Sequence, residues 1–235
     1  MLKRVLLKLS GEQFAGRHGF GIDTEFVSNL AHELSDVIKH TRAELSVVVG
    51  GGNFVRGAQL ASKEIERATA DYMGMLATVM NGMAFMDILE HYGQPARLQT
   101  RLPVNSVAEP YIRRRAIRHL EKGRVVIVAG GTGNPYVTTD TASVMAALEL
   151  DCEMVLKATK VDGVYDKDPH KHESAQKLHH VSYLDALQNN DIQVMDNSAI
   201  SLAMDHKLPI MVFDLLTEGN IKRIISGESV GTLVN

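Results

Sequence analysis

Short runs of aliphatic and β-branched residues at positions 5–9, 45–49, 125–128, 154–156 and 210–213 alternate with segments whose apolar residues recur at helical spacing. Runs this short and this apolar suit strands buried on both faces. Between them, Phe26, Leu30, Leu34 and Ile38 repeat at i, i+4, and Val144, Met145 and Leu148 form a similar stripe. Such alternation predicts an α/β chain, a three-layer αβα sandwich with a mainly parallel central sheet. In that architecture ligands gather at the carboxyl ends of the strands. Glycines stand at those ends: Ser10-Gly11 after the first run, Gly50-Gly51-Gly52 after the second and Gly130-Gly131 after the third.

The 235 residues show no linker, repeat or low-complexity segment, so a single domain over residues 1–235 is expected. A formal net charge of -3 gives no general attraction to nucleic acid or to an anionic membrane, and any anionic ligand must be held by local groups. The sole cysteine, Cys152, excludes an intramolecular disulfide and a cysteine cluster for zinc, which fits the reducing cytoplasm. The N-terminal apolar stretch is too short for a signal peptide, and no membrane segment is expected. The stretch "KEIERATADYMGMLATVMNGMAFMDILEHYG" keeps helical spacing over residues 63–90 despite Gly74 and Gly82, and carries Met73, Met75, Met80, Met83 and Met86. It reads as a core helix; a subunit interface is the sharper reading, because its apolar residues extend around more than one face.

Two common nucleotide motifs fail. Gly11 to Gly16 has P-loop glycine spacing, but Arg17 and His18 stand where Lys and Ser or Thr are required. Gly131-Thr132-Gly133 opens like a dinucleotide fingerprint, but Tyr136 takes the third glycine position. What remains is a dispersed set of phosphate-compatible elements. Strand lysines commonly snorkel or sit at edges, yet of Lys3 and Lys8 only Lys8 adjoins the Gly-rich end of its run. "VVVGGGNFVRG" lets backbone approach an anion closely while Arg56 reaches its oxygens.

"VVIVAGGTGNPYVTTDTAS" is the most specific feature: a strand, a turn of glycines and hydroxyls stiffened by Pro135, and a helix from about Thr139, which Thr139 or Asp140 would cap. The turn suits a phosphate, but Asp140 should repel one. "KATKVDGVYDKDP" reads either as a strand end and turn, with Lys157, Lys160, Asp162, Asp166, Lys167 and Asp168 as solvated charge, or as a nucleoside site in which Tyr165 faces a base and Asp168 accepts from ribose. His170, His172, His179 and His180 lack metal-site spacing and read as a polar loop. Arg113, Arg114, Arg115 and Arg118 lack interleaved aromatics and read as an exposed helix face rather than an RNA surface.

The segments "LLKLSGE", "GGGNFVRG", "ADYMGMLATVMNG", "GTGNPYVTTD", "KATKVDGVYDKDP", "VMDNSA" and "GTLV" occur in the order and approximate spacing of the bacterial UMP kinases, in the amino acid kinase superfamily, which the chain resembles nearly end to end. That resemblance implies the amino acid kinase fold and magnesium-dependent transfer of the ATP γ-phosphoryl group to UMP, giving UDP and ADP in pyrimidine nucleotide biosynthesis. It also implies a homohexamer built as a trimer of dimers, with GTP activation and UTP inhibition. Carried over by motif, Lys8, Leu9, Ser10, Gly11, Gly52, Arg56, Thr159, Tyr165 and Asp168 serve ATP. Gly51, Asp71 and the loop Thr132, Gly133, Asn134, Pro135, Tyr136, Val137, Thr138 and Thr139 serve UMP. Met86 and Glu90 depart from the basic residues some members place in the regulatory region, where Arg97 and Arg124 also fall.

Phosphoryl transfer needs positioning and charge neutralisation more than covalent chemistry from the protein. On this reading Lys8 and Arg56 reach the transferred group, and Asp140 and Asp196 orient Lys8 or magnesium-bound water, the metal being held mainly by nucleotide phosphates and water. The lysine that the threonine loop lacks then comes from another strand. The rival readings are a superfamily kinase acting on a carboxylate or carbamate, and a nucleotide-binding protein without turnover.

Overall fold

The computed structural model describes residues 1–167, 172, 174–189 and 191–235. In chain order its elements are β1 (Arg4–Leu9), the one-turn α1 (Gly11–Phe14), α2 (Thr24–Thr41), β2 (Glu44–Val49), α3 (Gly57–Leu60), α4 (Arg67–His91), β3 (Ala96–Thr100), β4 (Glu109–Pro110), α5 (Arg113–Leu120) and β5 (Val125–Ala129). There follow α6 (Thr139–Glu149), β6 (Met154–Thr159), β7 (Val164–Tyr165), β8 (Lys177–Leu178), β9 (His180–Val181), α7 (Tyr183–Gln188), α8 (Asn197–His206), β10 (Ile210–Asp214), α9 (Asn220–Ile225) and β11 (Thr232–Val234). A nine-stranded sheet runs in the order β4-β3-β5-β2-β1-β6-β10-β11-β9, and β7 pairs with β8 as a separate ribbon. Among the described residues, the β10–β11 pair alone in the large sheet is antiparallel. This is the α/β sandwich that the alternation predicts.

Side-chain alternation along the strands divides the core into two layers. Val5, Leu7 and Leu9 of β1 face one core with Leu30 and Leu34 of α2, Phe85 and Leu89 of α4 and Ile221 and Ile224 of α9. Leu6 faces the opposite core with Leu120 of α5, Val144 and Ala147 of α6 and Ile200 and Ala203 of α8. Lys8, two residues beyond Leu6, shares that second face by the strand's period of two. The sheet order also reverses at β1, with β2 on one side and β6 on the other. Its carboxyl end is therefore a switch point, where crossovers on the two sides leave a crevice.

The long apolar helix is α4. Its 25 residues make it long and apolar enough to cross a membrane by composition. Its inner face, however, packs on β3, β5 and α2 as a core helix does.

Candidate active site

Helix α4 fixes two glycine turns at the carboxyl edge of the sheet. Asn81 Nδ2 donates to the Gly50 carbonyl at 2.7 Å, and the Thr78 hydroxyl accepts the Gly130 N–H at 2.7 Å. Asn53 and Asn81, both buried, exchange amide hydrogen bonds of 2.9 and 2.7 Å, so the turn after β2 is held from its far side as well. At Gly51 the approach is close: a Cβ there would lie 2.5 Å from the Gly74 carbonyl oxygen and 2.9 Å from Ala77 Cβ. Only glycine lets that loop meet the helix backbone.

These turns enclose a cleft of about 460 Å³. Of the residues singled out from sequence, Lys8, Ser10, Gly11, Gly51, Gly52, Arg56, Asp71, Val137, Thr138 and Thr139 line it. Glu12, Arg67, Met75 and Thr78 line it too, although the sequence reading gives none of them a site role: each sits in an ordinary helical context.

Lys8 is buried, with its ammonium 2.7 Å from Asp140 Oδ1. Lys157 lies 3.1 Å from Asp140 Oδ2 and also donates to the Val194 carbonyl. Its side chain is only 16% exposed, so the reading of Lys157 as solvated charge is corrected. Strand β6 continues to Thr159, which carries Lys157 into the sheet directly beside Lys8. Burial alone would raise the Asp140 carboxyl, but the two ammonium groups outweigh it and hold it below the ordinary aspartate value. Burial pulls the Lys157 ammonium below the ordinary lysine value; Asp140 opposes that pull and Lys8 adds to it. The aspartate in the phosphate-compatible segment thus faces lysines, away from the glycine turn.

Two further pairs line the cleft. Arg56 is paired with Glu12, both about half exposed. Asp71 accepts from Arg67 Nε at 2.8 Å and from the Tyr136 backbone N–H at 2.8 Å. Tyr136 has φ +66°, a left-handed conformation that a bulky residue seldom adopts, and Asp71 is what braces it.

Thr132, Gly133, Asn134 and Pro135 form the turn beside the cleft, held by Thr132–Asn134 hydrogen bonds, while the Tyr136 ring projects into solvent. The cap of α6 is Thr138, whose hydroxyl accepts from the Asp140 and Thr141 amides, in place of the expected Thr139 or Asp140. Leu9 is fully buried in the core and does not line the cleft; its carbonyl accepts from the Gly50 N–H at 2.9 Å. Thr159 belongs to an adjoining cavity of about 430 Å³ shared with Glu12, Gln13 and Lys160. Tyr165, on the β7–β8 ribbon, donates its hydroxyl to Asp162 at 2.7 Å. Asp196 caps α8 and accepts from the hydroxyls of Thr138 and Thr141, tying α8 to α6. Asp168 and His170 lie outside the described residues.

No group of three His, Cys, Asp or Glu side chains is placed to hold a metal among the described residues. The carboxylate nearest the cationic end is Asp140. Its buried Oδ1, although 2.7 Å from the Lys8 ammonium, receives no aligned hydrogen bond. Magnesium commonly keeps several waters and takes one or two carboxylates plus substrate phosphates. The donor set fits an ion held in that way and does not fit an all-protein metal cage.

The family model of the amino acid kinase family matches residues 3–214. The structure is similar to that of UMP kinase from Bacillus anthracis, with a TM-score of 0.95 and 41% identity over 100% of this chain and 96% of that one. UMP kinase from Ureaplasma parvum superposes with a TM-score of 0.91 at 29% identity, covering 100% and 99% of the two chains. Uridylate kinase from Archaeoglobus fulgidus gives 0.73 at 26% identity, with both chains covered in full.

Proposed function

The chain belongs to the amino acid kinase family, as a nucleoside monophosphate kinase grouped with the UMP kinases, and from that premise we propose that it transfers the ATP γ-phosphoryl group to UMP, giving UDP and ADP. One observation carries the reading: a buried lysine, a triple-glycine turn followed by Arg56, and a turn of glycines and threonines leading into α6 share one cleft at the switch point of the sheet. Lys8, Ser10, Gly11, Gly52 and Arg56 face the ATP phosphates. By the family resemblance, Leu9, Thr159, Tyr165 and Asp168 complete the set that serves ATP. Gly51, Asp71 and the loop from Thr132 to Thr139 hold UMP, whose phosphate the N-terminal end of α6 favours.

The protein supplies alignment and positive charge. Lys8, fixed by Asp140, presents its ammonium where charge builds on the transferred group. Arg56 exchanges Glu12 for phosphate oxygens on ATP binding, and Asp71 exchanges the Tyr136 amide for a hydroxyl of the acceptor. Asp140, beside Lys8, would be the nearest carboxylate to the waters of a magnesium ion, which would supply neutralising charge to the ATP phosphates. No general base is needed, because the acceptor phosphate has a second pKa of about 6 and is already anionic near neutral pH.

The same reading takes residues 1–235 as one catalytic domain working in the cytoplasm, in pyrimidine nucleotide biosynthesis, without nucleic-acid or membrane partners. Regulation by GTP and UTP rests on the family resemblance. A homohexamer built from dimers likewise rests on the resemblance; a contact between copies is supported by α4, whose outer face leaves Tyr72, Met73, Leu76, Met80 and Met83 exposed.

ADP formation from Mg-ATP, followed with UMP, CMP, AMP, aspartate, glutamate and carbamate as separate acceptors, tests the proposal. Turnover is expected mainly with UMP, and Lys8→Met should lower kcat by at least about 100-fold. Preference for a carboxylate or carbamate would overturn the acceptor assignment, and near-normal turnover of Lys8→Met would overturn the role of Lys8.

A further inference from the structure

Lys8 and Lys157 occupy paired positions on adjacent parallel strands, and both approach a single carboxylate. Neighbouring strands lie about 4.8 Å apart, so two ammonium groups projecting from one face at paired positions repel each other strongly unless an anion separates them. Asp140 is that anion, with one oxygen toward each lysine. The two lysines nevertheless open onto different spaces. Lys8 lines the cleft of the glycine turns. Lys157 lines a separate cavity of about 410 Å³ with Asp140, Asn189, Gln193 and Val194. Its ammonium is also anchored to the Val194 carbonyl, in the segment leading to α8.

We propose that Lys157 is a positioning residue for phosphoryl transfer: by sharing Asp140 with Lys8, it keeps the Lys8 ammonium from being fully neutralised and leaves it available to the transferred phosphoryl group. With Lys8 and Asp140 alone the pair carries no net charge, and a phosphate must compete with a dedicated buried carboxylate. With Lys157 protonated beside Asp140 the three side chains carry one net positive charge, and Lys8 has the cleft in front of it. The charged groups around Lys157 are Asp140 at the start of α6, Lys8 on β1 and Asp196 at the cap of α8. Among these, Asp196 is committed to the hydroxyls of Thr138 and Thr141 and to the Ala199 amide, which leaves Asp140 as the direct anionic partner. The role acts late in the reaction, on charge that develops during transfer, and not on the glycine turns that bind the nucleotides.

The inference rests on the kinase reading for its assay alone. Wild-type turnover first identifies the acceptor, and the variants are then compared on whichever acceptor the wild type uses, so failure of UMP as acceptor leaves this test intact. Lys157→Gln keeps a donor for the Val194 carbonyl and removes the charge; Lys157→Ala opens space toward the adjoining cavity. Both should lose about 10- to 100-fold in kcat with KM for ATP and for the acceptor changed less than about threefold, the pattern of a contribution made mainly in the transition state. Ethylammonium should raise the turnover of Lys157→Ala in a saturable way, while tetramethylammonium at equal ionic strength should not. Should either variant fail to fold by circular dichroism, the other carries the comparison. Wild-type kcat in a folded variant, a loss confined to KM, or equal responses to the two cations would each overturn the proposal.

Discussion

Asp140 holds together two lysines that would otherwise repel, and its titration follows from that place. Its folded pKa lies below the ordinary aspartate value, so its contribution to stability is fully present above about pH 4 and is lost as pH falls through the lower folded value. Asp140→Asn should therefore cost on the order of 3 kcal/mol near neutral pH by leaving two buried ammonium groups without their anion. Urea unfolding at steps from pH 6 to pH 2 checks both points: the difference between wild type and Asp140→Asn should narrow toward the acid end. At this scale the sequence was partly legible. Lys8 stood out as a charge inside an apolar run beside glycine, and Asp140 as an acid where a phosphate was expected. Lys157 did not, because it opens a run of turn-like charges and its burial depends on β6 continuing to Thr159. The sequence reading pairs Asp196 with Asp140 as carboxylates for Lys8 or magnesium-bound water; the hydrogen bonds Asp196 makes in the fold are with two threonines and as a helix cap, which its local sequence Asp-Asn-Ser-Ala also suits.

Helix α4 carries two duties on two faces. Inward, Asn81 and Thr78 clamp the glycine turns; outward, Leu76 and Met80 remain 45% and 50% exposed, an apolar strip of the kind a second copy covers. Met80→Glu should shift sedimentation toward smaller species and leave the far-UV circular dichroism of the protomer unchanged. The apolar period made this helix legible, and Gly82 did not break it: a Cβ there would lie 2.6 Å from Leu98 Cδ1, so the glycine permits close packing on the sheet. Strand β3 was harder to read. It alternates buried Ala96 and Leu98 with Arg97 and Gln99, and Gln99 is itself buried while donating to Glu109 at 3.0 Å. The short strands β4, β7, β8, β9 and β11 lack enough residues to establish a period, and tertiary pairing alone defines them.

For the molecule as a whole, the dominant fact is a sheet whose first strand is central. Its pairing partners are β2, nearby in sequence, and β6, which begins only at Met154. Such long-range parallel pairing costs loop-closure entropy before it is rewarded, and refolding is expected on the slow side of the millisecond-to-second range. Cys152 offers a direct probe. It is the sole thiol, buried 3.6 Å from the Ser46 hydroxyl, and burial pushes its pKa up to about 12. In the native protein it should resist a thiol reagent, and during refolding its protection should appear together with the recovery of ATP-dependent turnover. Early protection without turnover would contradict a site completed by the docking of β6. The central place of β1 thus sets a timetable for biosynthesis: Lys8 leaves the ribosome well ahead of its neighbour Lys157, with β2 to α6 made in between. Until then the nascent protein exposes an open strand edge, and its need for protection from premature association is greatest before its chemistry can begin.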